Sequence, residues 1–152
     1  MSIGGWKSLS SRTQIPQGFA DPAVFVARAL MAHIFIVEGY GKIVNYSDVG
    51  AYMQDYRVPA LLLPLVIVTE LGGGLMVLSG LMTRWAAAAL AGFAILTALV
   101  FHNNGADVEQ TINFEKNLAI AGGFLILAAF GPGSWSLDGW RTRLKSRKSP
   151  PA

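Results

Sequence analysis

Between Trp85 and Phe101 the sequence WAAAALAGFAILTALVF contains no charged residue. A helix in a soluble bundle carries a charged outer stripe at helical spacing, and this one has no side to offer to water. The run therefore calls for hydrocarbon around it. Three further long apolar stretches accompany it, each with one or two charged residues, from about Ala23 to Gly41, Pro59 to Gly80 and Phe114 to Phe130. Their lengths suit the roughly 20 residues that cross a hydrocarbon core. Of the 152 residues 53% are apolar and 14% charged, well below the charged share of about one quarter in soluble domains. The expected fold is all-α, an integral membrane four-helix bundle. Residues 1–22 form a loose arm, 23–140 the transmembrane domain and 141–152 a basic tail.

The connections fix an expected topology. Pro59 suits a helix start and Pro64 loosens only the first turns of the second span. The segment KIVNYSDVGAYMQDYRV, residues 42–58, has room for a short interfacial helix, and LMTR makes a tight turn into the third span. Lys7, Arg12, Arg84, Arg141, Arg143, Lys145, Arg147 and Lys148 fall on one side of a four-span chain, against Lys42, Arg57 and Lys116 on the other. By the positive-inside rule both termini are expected in the cytoplasm, with Trp6, Trp85, Trp135 and Trp140 near that boundary. The lipid bilayer is then the first partner. The net charge of +3 sits mostly in the tail, which gives no basic face for nucleic acid. The chain has no cysteine, so it makes no disulfide, thiolate metal site or covalent haem link of its own.

The polar residues inside the spans narrow the question of function. Glu70 lies within LLLPLVIVTELGGGLMVLSG, residues 61–80, where an unpaired carboxylate is costly. It is expected about 15–18 Å from either end of its helix. His33 falls at a similar depth on the first helix and Arg28 within reach of a long side chain. On a helical wheel Arg28, Phe35, Gly39 and Lys42 share one face, while His33 points elsewhere. An Arg28–Glu70 ion pair is the favoured expectation, either purely structural or also lining a ligand cavity. Gly72, Gly73 and Gly74 allow close approach of a helix or of a flat ligand. At the outer boundary Glu38, Lys42, His102, Asn103, Asn104, Glu115, Lys116 and Asn117 form a second polar group. It is open to three readings: a solvated network of helix ends, a mouth where His102 exchanges a proton, or a metal site. No paired-ligand spacing supports the last, so no metal is expected.

The stretches VARALMAHIFIVEGYGKI, VTELGGGLMVLSGLMTRWAA and, after FHNN, NFEKNLAIAGGFLILAAFGPGSWSLDGW together resemble the DoxX family of small four-helix bacterial membrane proteins. The family's elements fall here on Arg28, Gly41 with Lys42, Glu70 with Gly72 and Gly73, His102, Lys116 with Asn117, Gly131 to Gly133, and Ser136 to Asp138. HNN replaces the aromatic close that many relatives carry after the histidine. The resemblance implies the bacterial inner membrane and links to quinone chemistry, since some relatives resemble a subunit of a thiosulfate:quinone oxidoreductase. The expected function is a quinone-linked redox subunit acting with a membrane or soluble redox partner protein. The alternative is a non-enzymatic accessory subunit of a larger membrane complex. Arg28, His33, Glu70, Gly73 and Asn117 are the expected ligand contacts, and Glu70, His102 and Glu38 the expected proton-handling groups. The chain has no recognisable motif for flavin or iron–sulfur, so electrons are expected from the partner.

Overall fold

The computed structural model describes residues 17–148, and among these every regular element is helical. The first span is α1, Gln17–Val44, and a short helix α2, Tyr46–Asp55, follows it. The second span, Ala60–Ser79, is segmented. A 3₁₀ turn, Ala60–Leu62, leads into α3, Leu63–Ile67; a π-helical turn, Val68–Gly72, then precedes α4, Gly73–Ser79. The third span is α5, Thr83–Phe101, the fourth α6, Val108–Phe130, and α7, Leu137–Lys148, closes the described chain. The four spans are long and apolar enough to cross a membrane. The protein is an integral membrane four-helix bundle.

The first, third and fourth spans start earlier than hydrophobicity alone indicates. α1 opens at Gln17 and runs past Gly41 to Val44, and most of the expected arm lies outside the described residues. α6 opens at Val108, six residues before the apolar run. Its start is set by the Asp107 carboxylate, which accepts hydrogen bonds from the backbone N–H groups of Glu109 and Gln110. That is an ordinary N-cap, effective on a polar sequence. Much of the basic tail is helical, within α7.

Packing follows residue size. α5 turns Ala87, Leu90, Ala91, Ala94 and Ala98 inward, each essentially inaccessible. Small side chains there let α5 and α6 approach closely, the usual basis of helix association in lipid. Phe124 of α6 fills the centre, with its ring edge-on to Phe35 of α1 at 5.3 Å. The α1 face that carries Arg28, Phe35, Gly39 and Lys42 is the face turned inward, as the wheel predicts. Large apolar side chains cover the outside, with Leu61 88% and Phe130 82% exposed. Such a surface is unsuited to water and matched to lipid.

Three close contacts fix how α1 meets the second span. A Cβ on Gly39 would lie 2.8 Å from the Leu71 backbone nitrogen, and one on Gly74 would lie 2.9 Å from Ile36 and 3.3 Å from the Ala32 carbonyl oxygen. Gly80, with φ of +74°, lies against the Arg28 guanidinium. This register puts Glu70 beside Gly39 and Lys42, not beside His33.

Candidate functional site

A cavity of about 510 Å³ opens among α1, the second span, α5 and α6, and α2 lies over it. Each spanning helix contributes one stripe at helical spacing. These stripes are Phe35, Glu38 and Lys42 on α1, then Leu62, Val66, Thr69 and Glu70 on the second span. Phe93, Thr97 and Val100 follow on α5, and Asn113, Lys116, Asn117 and Ile120 on α6. Val49, Tyr52 and Met53 of α2 close the surface. α2 is tied down by aromatic contacts. The Tyr52 and Phe101 rings stack at 5.7 Å, and Tyr56 lies 5.2 Å from Phe101. Burial and the adjacent Tyr56 push the Tyr52 hydroxyl up to about 12, so it stays protonated at any physiological pH.

Glu70 stands in the π-helical turn. A π turn takes an extra residue per turn and is often found at functional positions. The Thr69 hydroxyl donates back to the Leu65 carbonyl at 2.8 Å. Lys42 Nζ lies 2.8 Å from Glu70 Oε2 and 3.3 Å from Glu38 Oε2. Glu70 is buried, and its Oε2 meets the ammonium as an ion pair without the alignment of a hydrogen bond. At the mouth, His102 Nδ1 is 2.7 Å from Gln110 Oε1. A carbonyl oxygen only accepts, so in that pairing Nδ1 is the donor, and Nε2 takes no part in it. Lys116 Nζ donates to Asn113 Oδ1 at 2.7 Å, and Asn117 Nδ2 donates to the Asn113 carbonyl. The cavity thus combines an aromatic, apolar wall with ammonium donors, a buried carboxylate and an imidazole.

The DoxX family model matches residues 23–103. The chain is 50% identical over 118 residues to "Inner membrane protein YqjF" of Escherichia coli (strain K12), covering 78% of this chain and 91% of that protein. It is 33% identical over 129 residues to "Inner membrane protein YphA" of the same organism, covering 80% and 92%. This chain belongs to the DoxX family. No solved structure matches it.

The sequence pattern sets Glu70 apart from the boundary group of Glu38, His102 and Asn117, whereas in this DoxX protein all four line one cavity. Three other expected contacts lie elsewhere. His33 is exposed on the outer surface of α1. Gly73 faces Leu90, whose side-chain carbons begin 3.0 Å from where a Cβ would stand, so it serves helix packing.

Arg28 belongs to the opposite end of the bundle. Its Nη1 donates to the Pro132 carbonyl at 2.8 Å and its Nη2 to the Leu78 carbonyl at 3.1 Å. The expected Arg28–Glu70 ion pair is not formed. The expectation set Glu70 at about the depth of His33, with Arg28 within reach of a long side chain. In the structure α1 runs on to Val44 and the Gly39–Leu71 contact sets the register, which brings Lys42 to Glu70 in place of Arg28. Lys42 is the partner that sequence reasoning assigned elsewhere. A signal for it was available in the helical wheel, which puts Lys42 on the same face as Phe35 and Gly39. Tyr52, which the composition marked only as part of a polar connection, gave no such signal.

Proposed function

We propose that this chain is a quinone-linked redox subunit of the bacterial inner membrane, with both termini in the cytoplasm, that binds a quinone headgroup in the cavity. The observation that carries the reading is the placement of the Lys42–Glu70 pair and His102 around one cavity with an aromatic, apolar wall. A volume of about 510 Å³ falls within the range of small-molecule sites. The inner-membrane part draws on the printed names of the two relatives, and the orientation on the bias of Lys and Arg towards the α7 side.

When bound, the quinone would supply reversible two-electron, two-proton chemistry. The protein's part is to hold and to exchange protons. Phe35 and Phe93 offer flat apolar surface to a ring, while Lys42 and Lys116 offer N–H donors to its carbonyl oxygens. Glu70 and the Nε2 of His102 are the groups able to take or give a proton beside those oxygens. Electrons come from a partner protein, since this chain has no cysteine and no recognisable flavin or iron–sulfur motif.

Purification in mild detergent, followed by lipid extraction, tests this reading. Stoichiometric quinone is expected with the wild type, and Thr97→Phe, which fills the cavity from α5, should lose it while still inserting and folding. A quinone-free protein would overturn the reading, and a stable large partner recovered with it would favour the accessory-subunit alternative.

A further inference from the structure

Lys42 bridges an exposed carboxylate and a buried one. Its Nζ is within hydrogen-bond distance of both, 3.3 Å from Glu38 Oε2 and 2.8 Å from Glu70 Oε2. The Glu38 side chain is 61% exposed and the Glu70 side chain 7%. We propose that Glu38, Lys42 and Glu70 form a proton relay between the water at the α2 end of the bundle and the buried carboxylate in the cavity.

The surroundings favour this path. Among the described residues Lys42 is the cation at ion-pair distance from Glu70. From α6, Lys116 faces the same cavity with its ammonium donating to Asn113. From the end of α5, His102 faces it with Nδ1 held by Gln110, and from α2 the Tyr52 hydroxyl remains protonated. Thr97 of α5 does not titrate. The buried Glu70 Oε2 has no aligned hydrogen bond, which leaves an acceptor free for a proton.

The step balances without any co-reactant. Glu38 takes a proton from water. The Lys42 ammonium gives a proton to the Glu70 carboxylate, leaving an amine and a carboxylic acid. The amine then recovers a proton from Glu38. The net result is transfer of a proton from water to Glu70, with Lys42 and Glu38 returned to their starting forms and no electron moved. The relay goes beyond the quinone reading, for which it would name the source of the protons.

Time-resolved infrared spectroscopy after a pH jump tests it, on the full chain in nanodiscs of synthetic lipid with no quinone present. The carboxylic-acid band that disappears in Glu70→Gln reports protonation of Glu70. Lys42→Arg is the decisive variant, because a guanidinium keeps the positive charge but does not release its proton. Protonation of Glu70 should slow by about 100-fold in Lys42→Arg, the scale of a lost acid–base group, and should also slow in Glu38→Gln. Should Lys42→Arg fail to fold, Glu38→Gln alone decides. Wild-type rates in the folded variants would overturn the relay and leave Lys42 a fixed counter-ion. A protein with no Glu70-dependent band responding to pH would overturn it as well. Because the sample holds no quinone, failure here leaves the quinone reading standing, and failure to retain quinone leaves the relay standing.

Discussion

The two ends of the bundle hold their charges in different ways. At the α7 end, charged side chains are tied to backbone. Arg28 donates to the carbonyls of Pro132 and Leu78, and Arg84 donates to those of Ala128, Ala129 and Phe130 at the end of α6. The Asp138 carboxylate accepts from the N–H groups of Met82 and Thr83 and from the Thr83 hydroxyl. Asp21 accepts from the Ser134 backbone and hydroxyl. These contacts join α1, the second span, α5, α6 and α7, and they satisfy helix ends that would otherwise be orphaned. At the α2 end, Glu38, Lys42 and Glu70 are tied chiefly to one another, beside a cavity. Charges held by backbone carbonyls and amides fix a structure. Charges held by other titratable groups next to open volume can change partners, which is what a site for chemistry needs.

The sharpest way to break this contrast is to remove Arg28. Arg28→Met leaves two carbonyls without their charged donor at a position 1% exposed. The expected loss is about 3–5 kcal/mol, measured as thermal unfolding in detergent. Combined with Glu70→Gln, the two losses should add to within about 0.5 kcal/mol, since the sites share no partner. A large coupling energy would join the two ends and refute the division.

A smaller effect is expected at the cavity. Lys42→Met leaves Glu70 without its cation, but Lys42 is itself about one-fifth exposed, so the loss should be about 2 kcal/mol, below that of a fully buried pair. The Lys42→Met/Glu70→Gln double variant should recover at least half of it, because no uncompensated buried charge remains. Double-variant losses equal to the sum of the singles would show that the pair contributes nothing.

The smallest effect sharpens the description of the structural end. Asp138→Asn weakens the cap on α5 and should cost about 1 kcal/mol. Burial raises the Asp138 carboxyl, but the Thr83 and Met82 hydrogen bonds outweigh it and hold the group below its ordinary value of 3.8. A depressed carboxyl stabilises the fold fully above its unfolded value, and the contribution disappears as pH falls through the lower folded value. Wild-type stability should therefore lose an increment below about pH 4 that Asp138→Asn lacks, read from unfolding curves at successive pH values. Parallel curves for both proteins would remove Asp138 from the acid response.

Much of the site was present in the sequence as a set of residues and absent as a set of pairs. Glu38, Lys42, His102, Lys116 and Asn117 all fall near span ends on the same side, so their grouping follows from topology alone. Glu70 belongs with them only because of the register between α1 and the second span. That register depends on Gly39 meeting Leu71 and on Gly74 meeting Ala32 and Ile36, contacts between positions more than 30 residues apart. Gly73 shows the same limit. Its neighbours in sequence fit a ligand wall or a helix contact equally, and only the position of Leu90 decides for packing.

What the sequence determined by itself is the solvent and the number of crossings. An uncharged α5 admits no water-facing side, three further apolar runs are long enough to span beside it, and backbone groups in hydrocarbon must be satisfied within each helix. It also determined that Glu70 needed a partner, because an isolated carboxylate in that stretch would be too costly to bury. Which partner it has was decided by tertiary structure. Apolar periodicity sets the direction a residue faces but leaves helices free to slide along one another. Close glycine contacts remove that freedom, and here they bring the Lys42 ammonium to Glu70 and leave Arg28 to the carbonyls at the other end.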